Sequence, residues 1–143
     1  MKTFRLGVML AAAAVMPSLA QPPAGPHAAE FQAFYTAFLA ASQANDKQKL
    51  ADLIAFPVQD WSTQTKAAGV QEAPVKDRAD FLARYAALFT SSMRSHIPKA
   101  KVQAMPSGGY LLLWHDSDLE YSFEFDYAEG TGYRLSSYSI GPY

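Results

Sequence analysis

The sequence contains no cysteine. That excludes disulfide staples, thiol nucleophiles, cysteine-ligated zinc and lipid attachment through an N-terminal cysteine, so the fold must stand on its apolar core. Charge is sparse and balanced, with 12 Lys and Arg against 13 Asp and Glu in 143 residues. Such a chain has no basic surplus to draw it to nucleic acid or to an anionic membrane. The apolar run Leu6 to Met16 falls well short of the roughly 20 residues a membrane span needs. Catalytic signatures are missing too: there is no Ser-His-Asp order, Gly-x-Ser-x-Gly elbow, phosphate loop or His-Glu-x-x-His. Their absence argues against nucleophilic and zinc-peptidase chemistry.

What is present begins with a leader. Lys2 and Arg5 precede the apolar run, which ends at Pro17 and is followed by Ser18-Leu19-Ala20, small at the two positions a signal peptidase reads. Residues 1–20 are therefore predicted to be a secretory signal peptide, and the protein to be secreted, into a periplasm in the first instance. Loss of Lys2 and Arg5 leaves the mature chain net acidic. Residues 21–26, Gln-Pro-Pro-Ala-Gly-Pro, read as a short tether. One domain, 27–143, follows, long enough to bury a single core.

Apolar residues Phe31, Phe34, Tyr35, Phe38 and Leu39 recur at the 3-and-4 spacing of a helix face, and the pattern stops at Asn45-Asp46. Asp46 is suited to N-cap a second helix carrying Leu50, Leu53 and Ile54, which Phe56-Pro57 ends. Val58 to Thr65, with Trp61, reads as a first strand and Lys66 to Lys76 as a loop. Asp77 and Asp80 imitate a capping box before a third helix with Phe81, Leu82, Tyr85, Leu88 and Phe89 on its face, extended to Met93 and Ile97 before Pro98. From Lys99 the period is two, in strands over Lys99 to Met105, Tyr110 to Trp114, Leu119 to Tyr127 and Tyr133 onward. Helices followed by strands predict an α+β fold, with helices on one face of a curved antiparallel sheet.

With Phe31-Gln32-Ala33-Phe34-Tyr35 in the first helix, Phe56-Pro57-Val58 after the second, Phe81-Leu82-Ala83-Arg84-Tyr85 with Leu88-Phe89 in the third, and Gly132-Tyr133-Arg134-Leu135 opening the last strand, the chain resembles the nuclear transport factor 2-like superfamily of cystatin-like cones. The resemblance implies a cone with an apolar pocket, in a superfamily that includes isomerases, dehydratases, binding domains and uncharacterised secreted bacterial members.

A hairpin turning at Ala128 to Gly132 pairs Tyr127 with Tyr133, Phe125 with Leu135, Phe123 with Ser137 and Tyr121 with Ser139; Asp126 meets Arg134 on the opposite face. Turning the preceding hairpin at His115 to Asp118 pairs Trp114 with Leu119, Leu112 with Tyr121 and Tyr110 with Phe123. Small Ser137 and Ser139 opposite large rings predict a hollow shared with Tyr35, Trp61, Tyr85, Trp114, Tyr121 and Phe123, suited to a small apolar or aromatic ligand. Leu111, Leu113, Tyr138 and Ile140 then form an apolar patch on the other face, suited to a homodimer contact.

Glu120, Glu124 and Asp126 have outward parity, which leaves Asp60 as the candidate general base. His115, Asp116, Asp118 and Glu120 match no calcium loop and read as a polar hairpin turn, so no metal or other cofactor is expected. Arg94, His96, Lys99 and Lys101 follow the third helix, where cations complement its dipole. Ser107-Gly108-Gly109-Tyr110 is similar to a short loop motif of one group of periplasmic lysozyme inhibitors. The expected function is therefore non-enzymatic binding of a small ligand or a protein partner. An isomerase or dehydratase using Asp60, and a lysozyme inhibitor using Ser107 and Tyr110, are the alternatives.

Overall fold

A computed structural model describes residues 25–58 and 74–142. The expected signal peptide, tether residues 21–24, Asp60, Trp61 and Tyr143 lie outside the described residues. Among the described residues, four helices precede a four-stranded antiparallel meander: α1 (Ala28–Gln43), α2 (Lys47–Asp52), α3 (Arg78–Leu88), α4 (Ser91–His96), a 3₁₀ turn (Ile97–Lys99), then β1 (Lys101–Ala104), β2 (Tyr110–Asp116), β3 (Leu119–Ala128) and β4 (Gly132–Pro142). The architecture is α+β, with helices on one face of a curved open sheet.

Local chemistry sets the helix starts as the sequence suggests. The Asp46 carboxylate accepts from the Lys49 N–H at 3.1 Å, and the Asp77 carboxylate accepts from the Asp80 N–H at 2.8 Å. Asp80 in turn accepts from the Lys76 N–H at 3.0 Å and pairs with Arg84 at 3.2 Å, contacts that hold its carboxyl below the usual range. Arg78 joins α3 to α2 through the Asp52 carboxylate and the Gln48 side-chain oxygen.

The core is aromatic because α1 turns Phe31, Phe34, Tyr35 and Phe38 onto the sheet, where all four are buried. Phe31 stacks on Tyr110 with ring centroids 3.6 Å apart, and Phe38 meets Phe125 edge-on at 5.2 Å. Further along the sheet, Phe89 stacks on Phe123 at 5.8 Å.

Three expectations are corrected. The third helix does not run on to Ile97: it stops at Leu88, and the Thr90 hydroxyl caps a separate α4 by accepting from the Met93 N–H at 3.2 Å. A side chain that satisfies an orphan N–H starts a new helix where a weakly apolar face would have continued the old one. The β2–β3 hairpin is tighter than expected, with Asp116 opposite Leu119 and Ser117 at a positive φ of 56°, so Trp114 pairs with Tyr121, Leu112 with Phe123 and Tyr110 with Phe125. A shift of two residues preserves side-chain parity, and the aromatic rings stay on the core face.

The third correction changes a face. In the β3–β4 pair, Tyr127 lies opposite Tyr133, Asp126 opposite Arg134 and Phe125 opposite Leu135 as expected, but Glu124 lies opposite Ser137. Ser136 is an extra residue in a β-bulge, its hydroxyl donating to Asp126 Oδ2 at 2.6 Å with the Glu124 carbonyl 3.2 Å away. Beyond it Tyr138 faces Phe123 and Ile140 faces Tyr121 on the core side. Ser137 and Ser139 turn to the outer face, where the Ser139 and Ser122 hydroxyls lie 2.8 Å apart.

Candidate functional site

The bulge redistributes the residues expected to line a pocket. Ser137 and Ser139 leave the core face, so the hollow expected over them does not form; Tyr138 and Ile140 take their places and leave the expected outer patch. Leu111 and Leu113 remain outside, half-buried, in rows with Gln103, Glu124 and Ser137, and with Lys101, Ser122 and Ser139. No continuous four-residue apolar patch survives on that face.

A cavity of about 250 Å³ instead opens where the last turn of α3 and the short α4 approach the ends of β2, β3 and β4. Ala87, Leu88, Thr90, Ser92, Met93 and His96 line its helical side, and Trp114, Asp116, Tyr121, Tyr138 and Ile140 its sheet side. The break at Phe89-Thr90 puts α4 residues on this wall, and the bulge at Ser136 brings Tyr138 and Ile140 to the other.

Trp114 and Tyr121, directly opposite each other on β2 and β3, stack at 5.3 Å with their planes 8° apart. Phe123 sits beneath them, 5.4 Å from Trp114 and 4.9 Å from Tyr138, and is fully buried. Burial, with Tyr121 adding to it, pushes the Tyr138 phenol far above its ordinary range. The polar members are Thr90, Ser92, half-buried His96 and half-buried Asp116. His96 Nδ1 lies 2.9 Å from the Ser92 carbonyl.

Of the residues the sequence nominated for a ligand, Trp114 and Tyr121 line this cavity, and Phe123 is buried behind them in contact with Trp114. Tyr35 and Tyr85 lie elsewhere. Tyr35 is packed among Phe31, Phe38 and Phe125, where burial pushes its phenol up to about 12. Tyr85 donates its hydroxyl to the Asn45 side chain at 2.6 Å. Sequence reasoning missed Tyr138, Ile140, His96 and Asp116. A signal for the first two was present: apolar residues sit at odd positions in Tyr133 and Leu135 and at even positions in Tyr138 and Ile140, which is the mark of one inserted residue. The sequence assigns His96 to the helix dipole, which its place in the last turn of α4 satisfies, and Asp116 to a turn, whereas it is the last residue of β2, opposite Leu119.

The turn Ser107-Gly108-Gly109-Tyr110 has a packing explanation. Gly108 has a φ of +88°, and a Cβ on Gly109 would lie 2.8 Å from both the Phe125 carbonyl and Asp126 Oδ1. The Tyr110 ring is buried in the core rather than presented to a partner. His115 and Glu120 pair at 3.0 Å on the outer face, and among the described residues no group of three or more His, Asp or Glu side chains is placed to share a metal ion. No described helix is long and apolar enough to cross a membrane.

No protein-family model and no curated protein matches the chain. Among solved structures, the chain is similar in fold to an NTF2-like protein of unknown function from Burkholderia pseudomallei, with 9% identity, a TM-score of 0.47, and 80% of this chain and 91% of that one covered. An NTF2-like superfamily protein from Salmonella enterica is similar at 8% identity and a TM-score of 0.42, over 80% of this chain and 89% of that one. The CaMKII hub of S. rosetta is similar at 13% identity and a TM-score of 0.42, over 85% of this chain and 99% of that one. The likeness is one of fold alone.

Proposed function

We propose that this is a secreted binding protein that holds a small, largely aromatic or apolar ligand in the cavity between α4 and the ends of β2 to β4. The observation that carries the reading is the cavity itself: about 250 Å³ bounded by stacked Trp114 and Tyr121, Met93 and Ile140, with a few polar groups in the lining. Folded cores are close-packed, and a concave apolar site with few convergent polar groups is what ligand pockets share. Secretion rests on the charged, apolar and small-residue pattern of residues 1–20.

Native mass spectrometry of the chain purified from a periplasm tests both halves. The expected spectrum shows cleavage after Ala20 and an excess mass that is lost on denaturation and absent from Trp114→Ala. Bare protein that stays bare when incubated with small aromatic molecules would overturn the binding reading, and an uncleaved chain found in the cytoplasm would overturn secretion.

A further inference from the structure

The cavity lining mixes apolar and polar side chains, and the polar ones have a definite hydrogen-bonding sense. Leu88, Met93, Trp114, Tyr121, Tyr138 and Ile140 supply most of the apolar lining, and Thr90, Ser92 and His96 on the helical side and Asp116 on the sheet side supply the polar groups. A backbone carbonyl only accepts, so the 2.9 Å contact with Ser92 requires the proton of the neutral His96 ring to be on Nδ1. The neutral ring therefore offers Nε2 as a lone pair, a hydrogen-bond acceptor. Asp116, when ionised, is acceptor-only. Among the described residues no Lys or Arg lines the cavity, so Asp116 is the formally charged side chain there at neutral pH.

Size narrows the class further. A cavity of about 150 Å³ takes one benzene ring. The space here is larger, about 250 Å³, and partly open to solvent. We infer that the site selects a neutral, planar, two-ring aromatic molecule carrying a hydroxyl or amine donor, and rejects the same ring system bearing a carboxylate. The rings pack against the Trp114 and Tyr121 side and the donor meets His96 Nε2 or Asp116. An anion would face a carboxylate and a lone pair while losing its water, a combination that penalises binding.

The inference rests on the binding reading above, and one titration separates their fates. The secreted chain, ¹⁵N-labelled at pH 7.5, is titrated with 2-naphthol, naphthalene and 2-naphthoate and followed by amide shifts of residues around the cavity. The expected order is naphthol tighter than naphthalene by about 2- to 10-fold, the net yield of one hydrogen bond, with naphthoate weakest. His96→Phe should reduce the naphthol advantage and leave naphthalene unchanged. Asp116→Asn, at a half-exposed strand end that tolerates the isostere, should relieve part of the naphthoate penalty, so the test does not depend on one variant folding. Naphthoate binding as tightly as naphthol, or a preference for naphthol unchanged in both variants, overturns the inference and leaves the binding reading standing. If none of the three probes shifts the cavity resonances, both fall.

Discussion

Tyr138 lies directly opposite Phe123 on the core face of the sheet, with ring centroids 4.9 Å apart, and it does so because Ser136 is an additional residue in β4. Were Ser136 paired with Glu124 in regular alternation instead of bulged, Ser137 would lie opposite Phe123 and Tyr138 would turn to solvent. Deleting Ser136 removes the bulge yet leaves Ser137 opposite Glu124 and Tyr138 opposite Phe123 in regular alternation, so cooperative urea unfolding and a well-dispersed amide spectrum are expected to persist. Ser136→Ala, which loses only the hydroxyl contacts to Asp126 and Glu124, should cost about 0.5–1.5 kcal/mol. A deletion variant that loses cooperative unfolding would show that the bulge does more than shift the strand by one residue.

Ala87 is exposed on the cavity rim, in a helix that accommodates larger residues. Ala87→Trp should plug the opening, reducing probe binding at least tenfold while shifting stability by less than about 1 kcal/mol, since the new side chain fills space rather than displacing atoms. Calorimetric melting alongside the ligand titration checks both halves; unchanged affinity would place the ligand elsewhere.

Thr90 both caps α4 and lines the cavity. Thr90→Ala is expected to cost about 0.5–2 kcal/mol, the usual worth of an N-cap, and to loosen the α4 wall. Hydrogen exchange at the Met93 amide, which Thr90 accepts, should accelerate selectively.

Gly109 sits against backbone. A methyl group there would meet the Phe125 carbonyl oxygen at 2.8 Å, and a carbonyl in a strand ladder does not swing away as a side-chain end would. Gly109→Ala should destabilise by about 1–3 kcal/mol, whereas Ser107→Ala, in the exposed part of the same turn, should be nearly neutral in chemical denaturation.

Stability should fall at alkaline pH. Burial raises the Tyr35 phenol from 10.0 to about 12 and pushes Tyr138 up as well, so the folded state favours the protonated form more than the unfolded chain does. A group whose pKa is raised on folding contributes its full stabilisation below the unfolded value and loses it as pH climbs toward the folded one. Melting temperature should hold steady to about pH 9.5 and drop between about 10 and 12. Tyr35→Phe, which has no phenol to ionise, should soften the drop.

Much of this arrangement was legible in the sequence. The helix starts at Asp46 and Asp77 followed from one side chain reaching one orphan N–H, and the face of α1 from the spacing of Phe31, Phe34, Tyr35 and Phe38. Parity was legible even where register was not: moving the β2–β3 pairing by two residues left Trp114 and Phe123 on the core face. These are local properties, in which a residue's neighbours in the chain are also its partners.

The cavity belongs to the tertiary structure. Its walls depend on where Thr90 interrupts a continuing helix, and on the face that a single inserted serine gives to Tyr138 and Ile140. Sequence alone weighs Thr90 as a poor interior residue and Ser136 as one more polar position; only the packed chain shows that the first begins a helix and the second shifts a strand. The sequence by itself determined the α+β class, the aromatic core and the helix caps, because each is fixed by spacing and by hydrogen bonds within a few residues. The tertiary structure decided which of those aromatic residues surround space rather than fill it, because an empty volume is a property of several elements meeting and of no single residue.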